Sequence, residues 1–358
     1  MNQGIHVVDN SNPASPQIIS FIAIPGNYDL AIRGNILFAD SYIDLVALDI
    51  SDPLKPFEVD RLKDAFPNVL PPFDQALPIA DLDFTKGVVV SWKIKEHTET
   101  IERGGSPNKS FITFDGSGVA RFASQEVSIG SGGSAANGIS GSMARFTIFS
   151  DFLYSVHNNK LRLFNITGIP GINTEKELPL NRVVETIFPY DNKLFLGTTT
   201  GMLVYGLSNP ANPVFISAFE HINSCDPVVV EGRYAYVTLR SGNECLGFTN
   251  QLEVVDLINI TSPQLVKTYP MYNPHGLGID NGKLFICDGD AGLKVYNASD
   301  PTKIDENLIV HFPGIKSYDV IPLGGVLMMI GADGLFQYDY TNPEELVLLS
   351  SIPISRNR

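Results

Sequence analysis

The sequence predicts an all-β fold assembled from repeated four-stranded antiparallel units, and three observations support this prediction. Residues 275–312 contain four short apolar runs, separated by turns rich in Gly, Asn, Asp and Pro. The same unit recurs along the chain at a spacing of about 40 residues. The 358 residues include 31 Gly and 24 Pro, which suit many turns better than many helices. Four strands in a repeat of this length predict a β-propeller.

Each unit carries two recognisable marks. Its second strand is an apolar run after a Gly, Asn or Asp turn, as in residues 34–38 and 281–285. Its third strand ends in a turn such as residues 49–53, in which Asp and Ser accept backbone N–H bonds and Pro fixes φ. These marks predict full units that begin near seven residues: Tyr28, Ile79, Ala144, Glu185, Asp226, His275 and Tyr318.

The two ends of the series determine the expected number of blades. Residues 4–25 contain only a third and a fourth strand, whereas the last unit is complete. We therefore expect a single propeller domain over residues 1–358, with eight blade positions of which the first is incomplete. The alternative is a seven-bladed ring with an extra N-terminal hairpin. The unit near Ile79 is degenerate, since it consists of the run 86–90 between long insertions.

Charge and composition exclude several classes of function. A net charge of −14 argues against nucleic acid and anionic membranes as partners, because both select clustered Lys and Arg. No apolar stretch approaches the roughly 20 residues of a transmembrane helix. The first residues lack the basic stretch and apolar core of a signal peptide. We expect a monomer.

The chain has three cysteines. Cys225 and Cys245 flank one predicted hairpin, and Cys287 lies within an apolar strand. A disulfide between Cys225 and Cys245 would imply an oxidising compartment, whereas two separate buried thiols would imply nothing about location. Both interpretations remain open. No CxxC pair supports a zinc site.

The candidate site lies where the chain enters the innermost strand of each unit, because loops at this face usually hold the ligands of propellers. Aligning the units gives two neighbouring columns with many ionisable residues. The first column includes Tyr28, Glu185, Asp226, His275 and Tyr318, and the second includes Asp29, Asp81, Arg145 and Asp319. The candidate ligand-binding residues are Tyr28, Asp29, Asp81, Arg145, Glu185, Asp226, His275, Tyr318 and Asp319. Crowded carboxylates raise one another's pKa or recruit a cation.

Three interpretations of these columns are possible. Four carboxylates could hold Ca²⁺ or a similar hard cation, and the candidates are Asp29, Asp81, Asp226 and Asp319. Alternatively, Arg145, Glu185 and His275 could form a polar pocket for a sugar or another small polar ligand. Finally, the residues could simply solvate the mouth of the channel. We expect no obligatory cofactor.

Several passages resemble a known family, the LVIVD-repeat propellers, and in particular the LVIVD-type surface or periplasmic lipoproteins of Bacteroidetes-like bacteria. The passages are ADSYIDLVALD at 39–49, GSMARFT at 141–147 and NPHGLGI at 273–279. The resemblance covers nearly the whole chain. It implies a propeller fold and an extracytoplasmic location, at the cell surface or in the periplasm, but no established activity.

We therefore expect a non-enzymatic binding module whose partner is a protein, a glycan or a small polar ligand at the loop-rich face. The alternative is a metal-assisted hydrolase or lyase that uses the acidic central face. The usual hydrolase and zinc-protease motifs are absent from the sequence, which favours the binding module.

Overall fold

The computed structural model of the chain describes residues 3–68, 70–71, 73, 77, 79–95, 141–221, 227–241, 249–342 and 345–354. These residues form six four-stranded antiparallel sheets, which we call blades 1 to 6, and one two-stranded sheet. No helix in these ranges is long and apolar enough to cross a membrane.

The strands follow one another in chain order within each sheet. The two-stranded sheet contains β1 (Gly4–Asp9) and β2 (Gln17–Ala23). Blade 1 contains β3 (Leu30–Arg33), β4 (Ile36–Ser41), β5 (Asp44–Asp49) and β6 (Phe57–Leu62). Blade 2 contains β7 (Phe146–Phe149), β8 (Phe152–His157), β9 (Lys160–Asn165) and β10 (Asn173–Pro179). Blade 3 contains β11 (Val184–Tyr190), β12 (Lys193–Thr198), β13 (Gly201–Gly206) and β14 (Val214–Glu220).

The remaining three blades have the same order. Blade 4 contains β15 (Val228–Glu231), β16 (Tyr234–Leu239), β17 (Gln251–Asp256) and β18 (Gln264–Pro270). Blade 5 contains β19 (Leu277–Asp280), β20 (Lys283–Cys287), β21 (Leu293–Asn297) and β22 (Leu308–Phe312). Blade 6 contains β23 (Ser317–Leu323), β24 (Val326–Gly331), β25 (Gly334–Asp339) and β26 (Val347–Pro353). Short 3₁₀ helices span Phe84–Lys86 and Ile304–Glu306.

The repeated apolar run of the sequence forms the second strand of each blade and supplies the core between neighbouring blades. One aromatic residue of this run is buried in each of five blades: Phe38, Tyr154, Phe195, Tyr236 and Phe285. Burying such a side chain stabilises the fold by about 1.5–3 kcal/mol. In blade 5 the four apolar runs expected from the sequence coincide with β19 to β22, so this unit is confirmed.

The predicted number of blades is wrong. The described residues form six four-stranded blades, neither eight nor seven. The difference arises at the unit expected near Ile79, because residues 79–95 contain no strand. There, Asp83 caps the 3₁₀ helix by accepting a hydrogen bond from Thr85 N, and Val90 and Ile94 are exposed. An apolar run forms a strand only when a neighbouring strand pairs with it, and residues 86–90 have none among the described residues.

The two-stranded sheet lies between blade 6 and blade 1. It corresponds to the two outer strands of a blade and occupies a position in the ring beside the six complete blades. Asn10 and Gln337 of β25 exchange two hydrogen bonds of 2.8 Å. Ser350 Oγ of β26 donates to Pro13 O at 2.6 Å, and Ser20 Oγ of β2 donates to Pro53 O of blade 1 at 2.8 Å.

Similar hydrogen bonds join complete blades. Ser217 Oγ of blade 3 donates to Ile260 O of blade 4 at 2.6 Å, and Tyr269 Oη of blade 4 donates to Pro301 O of blade 5 at 2.5 Å. In each case an outer strand holds the turn of the next blade. The β1–β2 sheet is therefore joined to its neighbours by the same kind of hydrogen bonds that join complete blades.

The inner half of the junction is closed by residues 142–146, which we call the axial segment. The innermost strands pack in the order β3, β7, β11, β15, β19 and β23. At the β23 end, Ser142 Oγ donates to Asp319 Oδ1 at 3.1 Å. At the β3 end, the N–H groups of Arg145 and Phe146 donate to Asp29 Oδ2 at 2.7 and 2.9 Å. The axial segment therefore connects blade 6 to blade 1 close to the axis.

Candidate functional site

The first predicted column gathers at one mouth of the axis. Tyr28 and His275 each lie two residues before an innermost strand, whereas Glu185 and Tyr318 each lie at the second position of one. These four residues come from blades 1, 3, 5 and 6. Asp226 falls outside the described residues. Because the innermost strands surround the axis, their starts place side chains of several blades around one opening.

His275 stands in the most distinctive environment of this mouth. Arg240 Nη1 lies 3.1 Å from its Nδ1 and 3.2 Å from its Nε2. Its ring centre lies 5.5 Å from that of Tyr318. Burial, together with the positive charges of Arg240 and Lys316, lowers the pKa of His275 to about 4. The imidazole is therefore neutral at pH 7 and presents a lone pair to its surroundings.

The backbone around His275 is fixed from two blades. Its N–H donates to Cys287 O at 2.7 Å, and its carbonyl accepts a hydrogen bond from Thr238 Oγ1 of blade 4 at 2.6 Å. The buried carboxylate of Asp288 accepts from Asn273 N at 2.7 Å and pairs with Lys294 Nζ at 2.6 Å. Asp288 thus holds the loop that carries His275.

Arg240 was missed by the sequence analysis, although it follows β16 at the same end of the ring. Burial lowers the pKa of its guanidinium group, and the nearby negative charge of Glu185 opposes this shift. Arg240 therefore connects the environments of Glu185 and His275. The signal was available, because loops after the second strand open on the same face as the entry to the first.

A second group surrounds Tyr28 and Arg145. The Oδ1 atom of Asp40 accepts hydrogen bonds from Tyr28 N, Asp29 N and Asn27 Nδ2 at 2.7, 2.9 and 2.8 Å. Burial raises the pKa of Asp40 to about 6 and that of Asp29 to about 7. Burial and the charge of Asp40 raise the pKa of Tyr28, whereas the charge of Arg145 opposes that rise.

The second predicted column has a different role in the structure. Asp29 and Asp319 both bind the axial segment, through Arg145 N, Phe146 N and Ser142 Oγ. Asp319 fits against Gly276, where an added Cβ would lie 1.8 Å from Asp319 Oδ1. These two carboxylates therefore hold neighbouring parts of the ring together.

Two further predictions concern a metal and a disulfide. Asp81 is exposed and lies outside any strand. In the part of the chain that the structure describes, no group of three or more His, Cys, Asp or Glu residues is arranged to hold a metal ion. Cys225 and Cys245 lie outside the described residues, so their pairing stays a prediction. Cys287 is a buried free thiol.

Four-stranded blades packed around one axis, with polar side chains gathered at one mouth, define a β-propeller. Within this class, three segments of the chain match the LVIVD repeat. The family profile described as LVIVD repeat matches residues 1–24, 20–64 and 224–270, which confirms the resemblance stated from the sequence. No sequence among curated proteins matches the chain.

Solved structures with a similar fold include three propeller proteins. The periplasmic gluconolactonase PpgL of Pseudomonas aeruginosa is 10% identical, with a TM-score of 0.60 over 99% of this chain and 93% of that chain. A protein from Lactobacillus plantarum is 11% identical, with a TM-score of 0.57 over 93% and 86%. KlAtg21, in its complex with the coiled coil of AgAtg16, is 11% identical, with a TM-score of 0.53 over 92% and 85%. At these identities the likeness concerns the fold alone.

Proposed function

We propose that the protein is a non-enzymatic binding module that takes a glycan or another small polar ligand at the mouth of the axis. One observation carries this proposal: Glu185, Arg240, His275 and Tyr318, from four successive blades, meet at the same mouth. A site built from several rigid blades is pre-organised, so a ligand needs little ordering of the protein when it binds.

The chemistry of the mouth suits a polar ring. His275 and Arg240 provide hydrogen-bonding nitrogen atoms, and the partly exposed ring of Tyr318 offers a flat apolar surface. Sugars combine hydroxyl edges with a less polar face, so they use all three contacts. Loops at the same face give a protein partner a second way to bind.

A panel of neutral and acidic mono- and oligosaccharides, tested by thermal shift and then calorimetry, examines this proposal. We expect at least one sugar to raise the melting temperature, and His275→Ala to weaken its binding about tenfold or more. His311→Ala serves as the control, since His311 is exposed on β22. Unchanged affinity in His275→Ala, or no shift with any sugar, would contradict the proposal.

An enzyme that acts on a lactone or glycan is the second candidate, because a neutral imidazole beside an arginine can accept a proton. Gluconolactone is a suitable first substrate, given the similar fold of the gluconolactonase PpgL. Hydrolysis that disappears in His275→Ala would favour the enzyme over the binding module. Addition of EDTA and then Ca²⁺ would show whether that activity needs a metal.

We also propose an extracytoplasmic location, on a bacterial surface or in the periplasm, which rests on the LVIVD repeats and on the spacing of Cys225 and Cys245. If these cysteines form a disulfide, the unfolded protein gains two titratable thiols on reduction. Equal thiol counts before and after reduction would rule the disulfide out.

A further inference from the structure

Several acidic residues near the axis accept hydrogen bonds from the protein itself. One carboxylate oxygen of Asp29 accepts a hydrogen bond from Leu30 N. The other oxygen accepts hydrogen bonds from two N–H groups of the axial segment. Asp288 accepts Tyr272 N and Asn273 N and pairs with Lys294. A carboxylate that already receives several N–H groups has little capacity left for the hydroxyl groups or cations of a ligand.

Two more carboxylates are engaged in the same way. One oxygen of Asp40 accepts three hydrogen bonds from Asn27, Tyr28 and Asp29. Asp290 pairs with Lys316 at 3.0 Å. These four carboxylates are therefore engaged mainly by donors of the protein rather than by a ligand.

Arg145 differs from these residues. Its backbone is anchored by Asp29, whereas its partly exposed guanidinium group makes no hydrogen bond or ion pair with any residue that the structure describes. Its charge acts on Tyr28, Asp29 and Asp40. No described residue accepts a hydrogen bond from this guanidinium group, so its five N–H donors remain for a ligand.

We infer that the ligand of this mouth carries a carboxylate, and that it is a sugar acid held by Arg145; this inference rests on the proposed function. The guanidinium fork matches a carboxylate with two parallel hydrogen bonds, which a neutral hydroxymethyl group cannot accept in the same geometry. Arg240 beside His275 adds a second cation at the mouth. The net charge of −14 repels anions in general, so discrimination has to come from this local arrangement.

Glucuronate and glucose are the two probes that test this inference. They share the pyranose ring, but glucuronate carries a carboxylate where glucose carries a hydroxymethyl group. Calorimetry on the full chain should give a dissociation constant at least tenfold lower for glucuronate than for glucose. Arg145→Met should abolish that difference, and Arg145→Lys should retain part of it, because lysine keeps the charge and loses the fork. Arg233→Met is the matched control, as Arg233 pairs with Asp256 on the outside of blade 4.

The outcomes separate this inference from the proposed function. If glucose binds as tightly as glucuronate, or if Arg145→Met leaves the preference for glucuronate unchanged, the carboxylate inference is overturned and the binding module stands. If neither sugar binds, the carboxylate inference is overturned, whereas the proposed function is decided by the wider panel of sugars. Melting temperatures of the variants near that of the wild type show that the fold is intact, which is expected because Arg145 contacts Asp29 through its backbone.

Discussion

Two adjacent residues, Tyr28 and Asp29, show how neighbouring positions at the axis take different roles. The side chain of Asp29 binds N–H groups of blade 2 and supports the ring, whereas Tyr28 lies in the column that faces the mouth. The same division separates Tyr318 from Asp319 in blade 6. Asp29 and Asp319 thus serve the scaffold, whereas Tyr28 and Tyr318 in the preceding column are available to a ligand.

The raised pKa values of Asp29 and Asp40 give a first prediction. Both groups have ordinary values of 3.8 and are raised to about 7 and 6, so the folded state binds protons more readily than the unfolded state. Their contribution to stability is present at low pH and is lost as pH rises through 6 to 7. The free energy of unfolding of the wild type should therefore rise as the pH falls from 8 to 5. Asp40→Asn should reduce that rise by on the order of 1 kcal/mol.

Urea denaturation at the two pH values measures this effect. Asparagine keeps the Oδ1 acceptor of Asp40 and removes only its charge, so the hydrogen bonds to Tyr28 and Asp29 should persist. Asp305→Asn, at an exposed site, is the control. An identical pH dependence in Asp40→Asn and wild type would show that the carboxyl groups do not titrate in this range.

His275 should affect the pH dependence of stability in the opposite direction. Its folded pKa of about 4 lies below the ordinary value of 6.5, so the unfolded state takes up the proton first. Its contribution is therefore present above pH 6.5 and is lost as pH falls towards 4. His275→Gln should lose less stability than the wild type between pH 7 and pH 5, as measured by urea denaturation, whereas His311→Gln should behave like the wild type.

The residues of the mouth were only partly predictable from the sequence. Alignment of the repeats placed Glu185, His275 and Tyr318 correctly at the starts of innermost strands. It did not identify the pairing of Arg240 with His275, because contacts between blades depend on how the blades are rotated against each other. A single sequence carries no signal for that rotation.

At the scale of elements, the contrast between blade 5 and residues 79–95 shows what a repeat pattern can predict. In blade 5 each apolar run is followed by turn residues such as Gly282 and Gly289, both with positive φ, so strands and turns support one another. The run 86–90 has similar apolar content but lies between long insertions. Strand formation depends on pairing, which apolar content alone does not specify.

Gly276 provides a prediction at this scale. A Cβ at this position would meet Asp319 Oδ1 at 1.8 Å and Asp319 Cα at 3.0 Å, so Gly276→Ala must displace the carboxylate that holds Ser142. We expect a loss of about 1–3 kcal/mol in the free energy of unfolding. Gly314→Ala is the matched control, because an added Cβ there meets nothing within 4 Å. Equal stability of the two variants would contradict the close contact between blades 5 and 6.

At the scale of the whole molecule, the ring closes through residues that are far apart in sequence. Asn10 and Gln337 are separated by 327 positions, and both their side-chain amides are paired. Loop closure over such a distance carries a large entropic cost, which the contacts of β1 and β2 must offset. The sequence predicted the two strands of residues 4–25 and their place in an incomplete blade position, but not the final number of blades.

Gln337→Ala tests this closure. The substitution leaves the half-buried Asn10 amide without its partner, and the loss of a hydrogen bond of this kind costs about 0.5–1.5 kcal/mol. We expect faster hydrogen exchange in β1 and β2, together with a lower melting temperature. Gln264→Ala, at the exposed start of β18, should change neither measurement. Unaltered exchange of β1 and β2 in Gln337→Ala would show that the sheet is held by other contacts.

The axial segment adds a mechanical consequence to this closure. Blades 1 and 6 are joined at the periphery by the β1–β2 sheet and near the axis by residues 142–146. A joint with one attachment can swing about it, whereas two attachments at different radii prevent that rotation. The two attachments together therefore restrict changes in the width of the mouth.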